Sequence, residues 1–497
     1  MIPLLGRAAV RAMDQRAIER GVPGAVLMEN AGIAATEAIV ARFGDRLNEV
    51  VLVGGGGQNG GDAWVIARQL IVRGFAPRAV VVSSDASQIG GDARPNLEAL
   101  RSLVGEVDGA SLLEVAPEDF GAVDLRGSLL VDGLFGTGLD RPVEGAYAEV
   151  VRRLDAAPCP LVSLDLPSGI DADTGQVLGV APHAALTVTF GAHKRGLQQY
   201  PAVAHAGEVV LGTIGVAPPR DAVCALIEDD DLARVIAPRA GDAHKGTAGH
   251  VFVVAGSPGT AGAALLCARG AMRGGAGLVT LATRSPSIDQ RLWEIMSAPL
   301  GDPADAVAMV DDRATAVVVG PGLGTDDDGL ELSRALALES ERPMVLDADA
   351  LTAFAGDLAE LKDAAGARVL TPHPGEAARL LGVATADVQV DRFAVAERIA
   401  QKSGQVVVLK GARTVVADGE RLRVSPAGTP AMGVGGSGDV LAGLCGAMLC
   451  EGRSPFDAAW AAVHLHGRAG ERAAVGDRGL FARELADALP GTLATLR

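Results

Sequence analysis

Short runs of apolar, mostly β-branched residues alternate with longer helical patterns along the whole chain. The runs are continuously apolar, which is typical of strands covered on both faces of a parallel sheet. Alternation of strands and helices predicts right-handed βαβ units. The predicted strands are 49–54, 78–84, 128–133, 160–165, 186–191, 250–256, 277–283, 316–322, 343–351, 368–373, 406–411 and 414–418. The sequence therefore predicts an α/β fold built on parallel sheets.

Length and a change in composition predict two domains. The chain has 497 residues, more than one globular domain usually holds. An acidic, proline-containing stretch at 215–241 separates the two halves. We predict domains over residues 1–220 and 221–497. Apolar residues make up 48% of the chain and aromatic residues only 3%, and such small side chains let helices lie close to a sheet.

Charge and cysteine content limit the partners and the compartment. A net charge of −17 argues against a nucleic-acid or anionic-membrane surface. No apolar run is expected to approach the ~20 residues of a membrane span, and charged residues interrupt the N-terminal stretch where a signal peptide would need an apolar core. The five cysteines form no CxxC pair and no metal-ligand spacing, as is usual for reduced thiols. We therefore predict a cytoplasmic protein.

The glycine-rich segment GTPAMGVGGSGDVLAGL, at 428–444, places one acid where a helix is predicted to begin. It lacks the lysine of a Walker-type phosphate loop. Backbone N–H groups converge at a helix N-terminus, and glycine lets a phosphate approach them closely. Asp439 would repel phosphate, but it could take a proton from a hydroxyl that attacks a phosphate held by the glycines. The alternative is a glycine-rich turn in which Asp439 only caps the helix.

Other segments of this half follow predicted strands, and the carboxyl ends of parallel strands form the ligand-binding edge of an open α/β sheet. One of them carries Lys410 and Thr414, and another carries His373. A single histidine is more often a structural hydrogen-bonding group than a catalyst. The segments are 255–277, 320–324, 371–381 and 409–414.

These segments and the segment HKGTAGHVFVVAGS at 244–257 follow one another in a characteristic order. In that order they resemble the C-terminal domain of the bifunctional NAD(P)H-hydrate repair enzymes, over about residues 225–497. The resemblance implies a ribokinase-like fold and an ADP-dependent (S)-NAD(P)H-hydrate dehydratase. The chain departs from the family pattern at Thr429 and Gly433, where Asn and Ala are usual. The residues implied to bind the hydrated nucleotide are Ala263, Gly322, His373 and Asp439. The residues implied to bind ADP are Lys410, Gly411, Ala412, Arg413, Thr414 and Gly438.

A second glycine-rich segment, VVLVGGGGQNGGDAWVIARQL at 50–70, reads as a strand, a loop and a helix opened by Asp62. It does not match the dinucleotide fingerprint GxGxxG. Asn59, Asp132 and Ser168 would supply oxygen ligands with only one formal negative charge. That low charge suits K⁺ better than Mg²⁺ or Ca²⁺. The alternative is that these residues serve ordinary turns at strand ends.

The motifs NGGD, DxxFGTG, DxPSGxDxxTG and FGxxKxG appear in that order within residues 10–215. They resemble the N-terminal half of the same family, a Rossmann-like NAD(P)H-hydrate epimerase. The resemblance implies K⁺ at the three residues named above, and Asp165 is predicted to handle protons, with Lys194 as a candidate partner. The substrate contacts that it implies are Gln58, Asn59, Gly60, Gly61, Asp62, Gly136, Thr137, Gly138, Leu139, Asp140, Arg141, Pro142 and Asp165. Gln58 stands where the family usually has Asn.

Together the two resemblances imply one chain, with αβα layers in both domains, that repairs hydrated NADH and NADPH. The N-terminal domain would interconvert the R and S hydrates at C6. The C-terminal domain would dehydrate the S form with ADP, giving NAD(P)H, AMP and phosphate. Mg²⁺ is expected with ADP because phosphoryl transfer needs charge neutralisation. The expected partners are these small molecules, without nucleic acid or membrane, and the enzyme is expected to form a homo-oligomer.

Two other interpretations fit parts of the sequence. A ribokinase-like kinase for a small alcohol would explain the GxGD motif and would release a phosphorylated product, but it gives no role to residues 10–215. Alternatively, the N-terminal half could be a nucleotide-binding or scaffold module. Its set of acids and cation ligands argues against this, because a pure binding module needs none of them.

Overall fold

The computed structural model of the chain describes residues 1–219, 221–285 and 293–496. They form two compact units. One comprises Pro3–Ala222, and the other comprises Val223–Arg497 together with Met1–Ile2.

The N-terminal unit contains a seven-stranded sheet in which all neighbouring strands are parallel. The first nine strands of the chain, seven of which form this sheet, are β1 (Ile2–Leu5), β2 (Val50–Gly55), β3 (Arg78–Val82), β4 (Ser111–Val115), β5 (Leu129–Gly133), β6 (Leu161–Leu164), β7 (Leu186–Phe190), β8 (His193–Lys194) and β9 (Glu208–Gly212). The order across the sheet is β4-β3-β2-β5-β6-β7-β9. β1 pairs with β8, also in parallel.

Helices cover both faces of this sheet. They are α1 (Arg7–Glu19), α2 (Gly24–Phe43), α3 (Gln58–Val72), α4 (Ala93–Leu103), α5 (Gly145–Asp155) and α6 (Ala202–Ala206). Along β2, Leu52 packs into a cluster with α2, α3 and α4, whereas Val51 and Val53 pack into a cluster with α5. Successive side chains of a strand point to opposite faces, so the continuously apolar run reflects a strand buried on both sides.

Helix α2 is longer and more apolar than the prediction that no apolar run approaches the length of a membrane span allows. It has 20 residues and, by length and composition alone, is apolar enough to cross a membrane. In the structure Met28, Ala35 and Ile39 of this helix pack into the core of the N-terminal unit. A core helix passes the same test of length and composition.

The C-terminal unit is built on a longer sheet. Its strands are β10 (Cys224–Leu226), β11 (His250–Val254), β12 (Leu278–Ala282), β13 (Met296–Ala298), β14 (Ala316–Val319), β15 (Met344–Leu346), β16 (Arg368–Leu370), β17 (Val406–Leu409), β18 (Val415–Ala417) and β19 (Leu422–Val424). They lie in the order β13-β12-β11-β14-β15-β16-β17-β18-β19-β10. The neighbours from β13 to β17 are all parallel, so the carboxyl ends of these strands meet at one edge, as predicted.

The helices of this unit are α7 (Asp229–Val235), α8 (Ala261–Arg273), α9 (Pro303–Arg313), α10 (Asp327–Glu339), α11 (Asp349–Thr352), α12 (Pro374–Leu381), α13 (Thr385–Val390), α14 (Arg392–Ser403), α15 (Ser437–Cys450), α16 (Pro455–Ala473) and α17 (Ala482–Thr495). Helices α8 and α15 pack with their backbones close together. A Cβ atom added at Gly443 of α15 would lie 1.9 Å from the Cys267 carbonyl oxygen of α8, so only glycine fits this crossing.

Three details of the predicted sheets were wrong. The C-terminal sheet is mixed, because β18 runs antiparallel to both β17 and β19. The strand predicted at 343–351 ends at Leu346, and α11 begins at Asp349. Seven strands were not predicted, because they are short or carry polar residues among the apolar ones; they are β1, β4, β8, β9, β10, β13 and β19.

Candidate active sites

A cavity of about 1020 Å³ opens in the N-terminal unit. Its walls include residues of α1, the start of α3, the segment 134–144, and the residues that end or follow β6 and β8. Most residues predicted to bind the substrate lie on this wall: Gln58, Asn59, Asp62, Gly136, Thr137, Gly138, Leu139, Asp140, Arg141, Pro142 and Asp165.

The glycine loop after β2 is shorter than predicted, because α3 begins at Gln58 and not at Asp62. Gly60 and Gly61, both predicted to contact substrate, allow close packing at the start of this helix. A Cβ on Gly60 would lie 1.9 Å from the Gly55 carbonyl oxygen, and one on Gly61 would lie 2.5 Å from a methionine side chain of α2. Close packing of the first turn leaves the side chains of its polar residues on the cavity wall.

Asp165 and Lys194 form a buried ion pair on the cavity wall. The backbone of Asp165 has a φ of 65°, a left-handed conformation that is costly for a non-glycine residue. The Lys194 ammonium also donates to the Phe190 carbonyl oxygen at 2.7 Å. The backbone N–H groups of Phe190 and Thr137 donate to the carboxylate at 3.3 and 3.4 Å. These contacts fix the carboxylate in one position, and the structure thus brings together the two residues predicted to act as partners.

Two further carboxyl groups are electrostatically coupled to this ion pair. Burial, and then repulsion from Asp165, raises the pKa of Asp62 well above its ordinary range, against the opposing effect of Lys194. Burial also raises the pKa of Asp14, a residue of α1 that was not predicted to belong to the site. Three carboxyl groups around one ammonium cannot all ionise cheaply in a buried site. The cavity therefore favours the protonated forms of Asp62 and Asp14 relative to the same groups in water.

The three residues predicted to bind K⁺ lie around the end of β5. Asp132 is fully buried, and it accepts hydrogen bonds from the Ser168 hydroxyl at 2.6 Å and from the Ser168 N–H at 2.9 Å. The Asn59 side chain is also buried, and its Nδ2 has no hydrogen-bond partner among the described residues. A Cβ on Gly133, the last residue of β5, would lie 2.9 Å from the Asn59 carbonyl oxygen, which places the two segments in contact.

Burial raises the pKa of Asp132, and hydrogen bonds from Ser168 and from neighbouring groups oppose this effect. The largest effects on that pKa are burial and these hydrogen bonds, and none of them is the charge of a described Lys, Arg or His. A buried carboxylate needs a compensating charge or several donors. One carboxylate beside neutral oxygen donors fits a monovalent cation better than a divalent one.

In the C-terminal unit, the acid of the GxGD motif lies within the first turn of α15. The N-cap of this helix is Gly436, with a φ of 92°, and no side chain caps it. The alternative in which Asp439 caps the helix is therefore wrong. Burial, and then the charge of Asp347, raises the pKa of Asp439 to about 7, against the opposing effect of Lys410. A carboxyl group with such a pKa is suited to proton transfer at neutral pH.

Lys410 forms a buried ion pair beside this acid. Its Nζ lies 2.6 Å from Asp347 Oδ1 and 3.8 Å from Glu376 Oε2, and the Thr371 hydroxyl donates to the same Asp347 oxygen at 2.7 Å. Burial lowers the pKa of Lys410, but the charges of Asp347 and Glu376 outweigh it and leave the pKa raised. A Cβ on Gly438 would lie 3.4 Å from Lys410 Nζ. The lysine predicted to hold ADP thus lies beside the start of α15 and already has acidic partners.

The rest of the predicted ADP-binding segment is a tight turn between β17 and β18. Gly411 and Arg413 have positive φ values of 139° and 57°. The Thr414 hydroxyl donates to the Gly411 carbonyl oxygen at 2.8 Å. Behind the turn, the buried Arg392 donates to the carbonyl oxygens of Leu409 and Lys410 at 3.1 and 3.2 Å. Hydrogen bonds from this buried side chain therefore fix the conformation of the turn.

The residues predicted to bind the hydrated nucleotide lie at the starts of three helices, α8, α12 and α15, and in the loop after β14. His373 caps α12, where its Nδ1 accepts two backbone N–H groups at 3.0 and 3.2 Å. This agrees with a structural role for Nδ1, while the side chain remains 51% exposed. The Thr260 hydroxyl donates to the Gly322 carbonyl oxygen at 2.6 Å, and the Thr260 carbonyl oxygen accepts from Ala263 N at 3.1 Å. Thr260 therefore brings Gly322 and Ala263 together.

Comparison with known proteins agrees with this architecture. Residues 251–490 match the NAD(P)H-hydrate dehydratase family, and residues 24–196 match the family described as YjeF-related protein N-terminus. The chain is 37% identical over 499 residues to a bifunctional NAD(P)H-hydrate repair enzyme of Coxiella burnetii, with 98% of each chain covered. The chain belongs to the family of bifunctional NAD(P)H-hydrate repair enzymes. Its member from Thermanaerovibrio acidaminovorans is 40% identical, with 96% of each chain covered.

A solved structure supports the fold of the C-terminal half of this repair enzyme. It is the ADP/ATP-dependent NAD(P)H-hydrate dehydratase from Bacillus subtilis, co-crystallised with ATP and Mg²⁺. It is 32% identical, has a TM-score of 0.50, and covers 54% of this chain and 98% of its own. The predicted family and the predicted two-domain α/β fold are thus confirmed.

Sequence reasoning missed two acids that the structure places among the site residues of this repair enzyme. Asp347 pairs with Lys410, but its segment was read as the interior of a strand. Asp14 lies on the cavity wall, but on the sequence it is one charge in a helical pattern. The position of Asp347 directly after an apolar run was a usable signal, since strand ends carry ligand-binding residues.

Proposed function

We propose that the two activities divide between the two halves of the chain, with epimerisation in residues 1–220 and dehydration in residues 221–497. The chain is a bifunctional NAD(P)H-hydrate epimerase and dehydratase. The cavity with its Asp165–Lys194 pair supports the first assignment. The cluster of Asp439, Lys410 and Asp347 supports the second.

In the dehydration, the terminal phosphate of ADP passes to the hydroxyl oxygen of the S hydrate. Asp439 takes the hydroxyl proton as the oxygen attacks phosphorus. The backbone N–H groups at the start of α15 stabilise charge on the phosphoryl group. Phosphate then leaves C6 and C5 loses a proton, so the C5=C6 double bond of the reduced nicotinamide forms again, and AMP is released. The observation that carries this proposal is the acid within an uncapped glycine-rich helix start, with its pKa raised to about 7.

Mg²⁺ fits this half as a companion of the nucleotide. In the part of the chain that the structure describes, no group of three His, Cys, Asp or Glu side chains could hold a metal ion alone. Mg²⁺ commonly takes few protein ligands and completes its shell with phosphate and water, so Glu376 and Asp439 would meet an ion carried by ADP. When bound, Mg²⁺ neutralises charge between the nucleotide and the attacking oxygen. The relative crystallised with ATP and Mg²⁺ supports this.

The nucleotide and the hydrate would bind the predicted residues of the C-terminal half. ADP would lie against the turn at 410–414 and against Gly438, while the hydrate would contact Ala263, Gly322, His373 and Asp439. Because Lys410 is paired with Asp347, we expect its charge to act on phosphate and on the nearby acids together.

In the epimerisation, the hydrate occupies the cavity of the N-terminal half, and the Asp165–Lys194 pair exchanges protons with the C6 oxygen. The predicted substrate segments 58–62 and 136–142 would hold the rest of the nucleotide. K⁺ would be held by Asn59, Asp132 and Ser168, where it supplies a positive charge beside the buried carboxylate. The buried carboxylate of Asp132, whose pKa is governed mainly by burial and by hydrogen bonds from neutral groups, supports this site.

The partners of this enzyme would be the hydrates of NADH and NADPH and ADP, without nucleic acid or membrane. We expect a cytoplasmic homo-oligomer.

One assay tests both activities. The protein is incubated with a mixture of R and S hydrates and ADP, and the absorbance of reduced nicotinamide is followed. Complete conversion is expected when both halves work, whereas a stop near the S fraction would leave only the dehydratase. Retention of a phosphorylated product would favour the small-alcohol kinase. The absence of recovery with ADP and with ATP would refute the proposal.

A further inference from the structure

A carboxyl group on the first helix faces the cavity that holds the Asp165–Lys194 pair. Asp14 lies on the wall of this cavity. Its helix, α1, ends at Glu19, before residue 24, where the match to the N-terminal family begins. No prediction placed this segment in the site.

The structure ties α1 to both functional parts of the cavity. β1, which precedes the helix, pairs with β8 so that Leu5 lies opposite Lys194. Met13, next to Asp14 in the chain, packs with Leu5 in a buried cluster. At the start of the helix, Arg7 donates to the carbonyl oxygen of Leu139, a residue of the predicted substrate segment. The position of Asp14 is therefore fixed relative to the lysine and to the substrate segment.

Epimerisation needs more than one proton-handling group. The R and S hydrates carry the C6 hydroxyl on opposite faces of the ring, so the leaving oxygen and the arriving oxygen are on different sides. Asp165 is held in one position by Lys194 and by two backbone N–H groups. A carboxylate fixed in this way serves one face of a bound ring, and the other face requires a second group.

Asp14 has the properties of that second group. Its Oδ1 is buried and has no hydrogen-bond partner among the described residues, so the ionised form is poorly stabilised there. Burial raises its pKa, Lys194 lowers it, and Asp165 raises it. Asp62 of α3 is the remaining acid coupled to it, and Arg11 is a nearby charge on its own helix that also lines the cavity. A carboxyl group on a cavity wall whose ionised form is poorly stabilised is suited to act as a general acid.

We propose that Asp14 is a second proton-transfer residue of the epimerase site and works together with the Asp165–Lys194 pair. This inference rests on the proposed epimerase function of the N-terminal half. In one direction, the Asp14 carboxylic acid gives its proton to the C6 hydroxyl. The C6–O bond breaks, water leaves, and the lone pair of the ring nitrogen forms a C=N bond to C6.

The second half of the reaction occurs on the other face of the ring. A water molecule attacks C6, the C=N electrons return to nitrogen, and the water loses one proton to the Asp165 carboxylate. Asp14 has then lost one proton and Asp165 has gained one, and proton exchange with solvent water restores both before the next turnover. The cycle needs no oxidant or reductant.

The test compares four variants of the full chain. Asp14→Asn removes the acid while keeping its shape, and Asp14→Glu keeps the acid. Glu19→Gln is the matched control, because Glu19 lies exposed on the same helix and outside the cavity wall. Asp62→Asn tests the other coupled acid. The R/S exchange rate and its KM are measured against pH. ADP-dependent dehydration of pure S hydrate by each variant shows whether its C-terminal half is folded and active.

We expect Asp14→Asn to lower kcat for R/S exchange by ~10²–10⁴-fold, as for loss of a positioned acid, with little change in KM. Wild-type exchange should fall as the pH rises through the pKa of the acid, and this alkaline limb should be missing in Asp14→Asn and present in Asp14→Glu and Glu19→Gln. Exchange within threefold of wild type in Asp14→Asn, or an unchanged alkaline limb, would overturn the inference.

If the alkaline limb of R/S exchange is lost in Asp62→Asn and kept in Asp14→Asn, the acid is Asp62, and the proposal for Asp14 is overturned. If Asp14→Asn does not fold, carboxyl NMR of wild-type protein decides the question, because an Asp14 midpoint at or below the ordinary value for Asp refutes the proposal. Failure of the wild-type protein to exchange R and S hydrates would refute the epimerase function itself.

Discussion

Replacing Asp439 by Asn removes the proposed base of the dehydratase while leaving its surroundings in place. Asn has nearly the same shape, and the side chain at this position does not cap α15, so the start of the helix should persist. An amide cannot accept the hydroxyl proton. Dehydration of the S hydrate should therefore slow by ~10²–10⁴-fold, the usual cost of losing a positioned base.

The raised pKa of Asp439 predicts the pH dependence. The active form is the carboxylate, and the pKa is about 7. As the pH falls below 7, kcat/KM for dehydration should decrease by about tenfold per unit, with roughly one-tenth of the groups ionised at pH 6. This acid limb should be absent from Asp439→Asn, whose remaining rate comes from positioning and electrostatic stabilisation.

The same shift predicts a change in stability. The folded-state pKa of Asp439 lies above its ordinary value of 3.8, so its favourable contribution is complete below that value and is lost as the pH rises through about 7. A shift of about three units corresponds to ~4 kcal/mol at most, and partial solvation reduces this to about 1–3 kcal/mol. At pH 8 the variant should therefore unfold at a higher temperature than the wild type, with the difference disappearing near pH 4.

The assay combines kcat/KM for S-hydrate dehydration, thermal unfolding at pH 4 and pH 8, and the R/S exchange rate. Exchange serves as an internal control, because its residues lie in the other half of the chain. Dehydration within threefold of wild type would refute the assignment of Asp439 as the base. A lower unfolding temperature at pH 8 would refute the argument that burial and Asp347 oppose its ionisation.

Three further changes test other parts of the structure. Asp132→Ala should slow R/S exchange and leave S-hydrate dehydration unchanged, because it removes the only carboxylate of the proposed K⁺ site; exchange that survives this change and replacement of K⁺ by Na⁺ would show that the site is misassigned. Lys410→Ala should weaken ADP binding in calorimetry, since a cation beside phosphate is removed, and should move the acid limb of dehydration to higher pH, whereas unchanged affinity would count against this placement. Gly443→Ala should destabilise the protein by about 1–3 kcal/mol in denaturant unfolding, because the new Cβ would lie 1.9 Å from the Cys267 carbonyl oxygen. Gly476→Ala, whose Cβ would meet nothing within 4 Å, should have little effect, and equal stability of the two variants would contradict the packing argument.

The strands of the central sheets could be predicted because burial on both faces leaves a local pattern. β2 and β14 are fully buried and appear in the sequence as unbroken apolar runs. Edge strands leave no such pattern, and β4 has three exposed positions in five residues, one of them a glutamate. The direction of β18 could have been predicted, because the predicted strands 406–411 and 414–418 leave only two residues between them, and so short a connection joins antiparallel strands.

Site residues could be predicted where a motif marks them, but not where their chemistry depends on distant partners. Asp439 belongs to the GxGD motif and Asp165 to the DxPSGxDxxTG motif, and both motifs can be recognised in the sequence. The ion pair between Lys410 and Asp347 joins residues 63 positions apart, and the contact exists only because β15, β16 and β17 lie side by side. The same limit applies to Asp14, since only the pairing of β1 with β8 brings its helix to the cavity.

Both halves of the chain place carboxyl groups beside a buried lysine–aspartate ion pair. Each buries a lysine against an aspartate, Lys194 with Asp165 and Lys410 with Asp347, and each places further acids beside the pair. Because the lysine charge is already matched, the extra acid gains less attraction from it than repulsion and desolvation cost. Its pKa therefore rises, to about 7 for Asp439. In the C-terminal half this places the acid near neutrality, where it can release its proton and serve as a base. In the N-terminal half, burial and the charge of Asp165 raise the pKa of Asp14 and of Asp62 against the opposing effect of Lys194, which favours the protonated acid needed for proton donation.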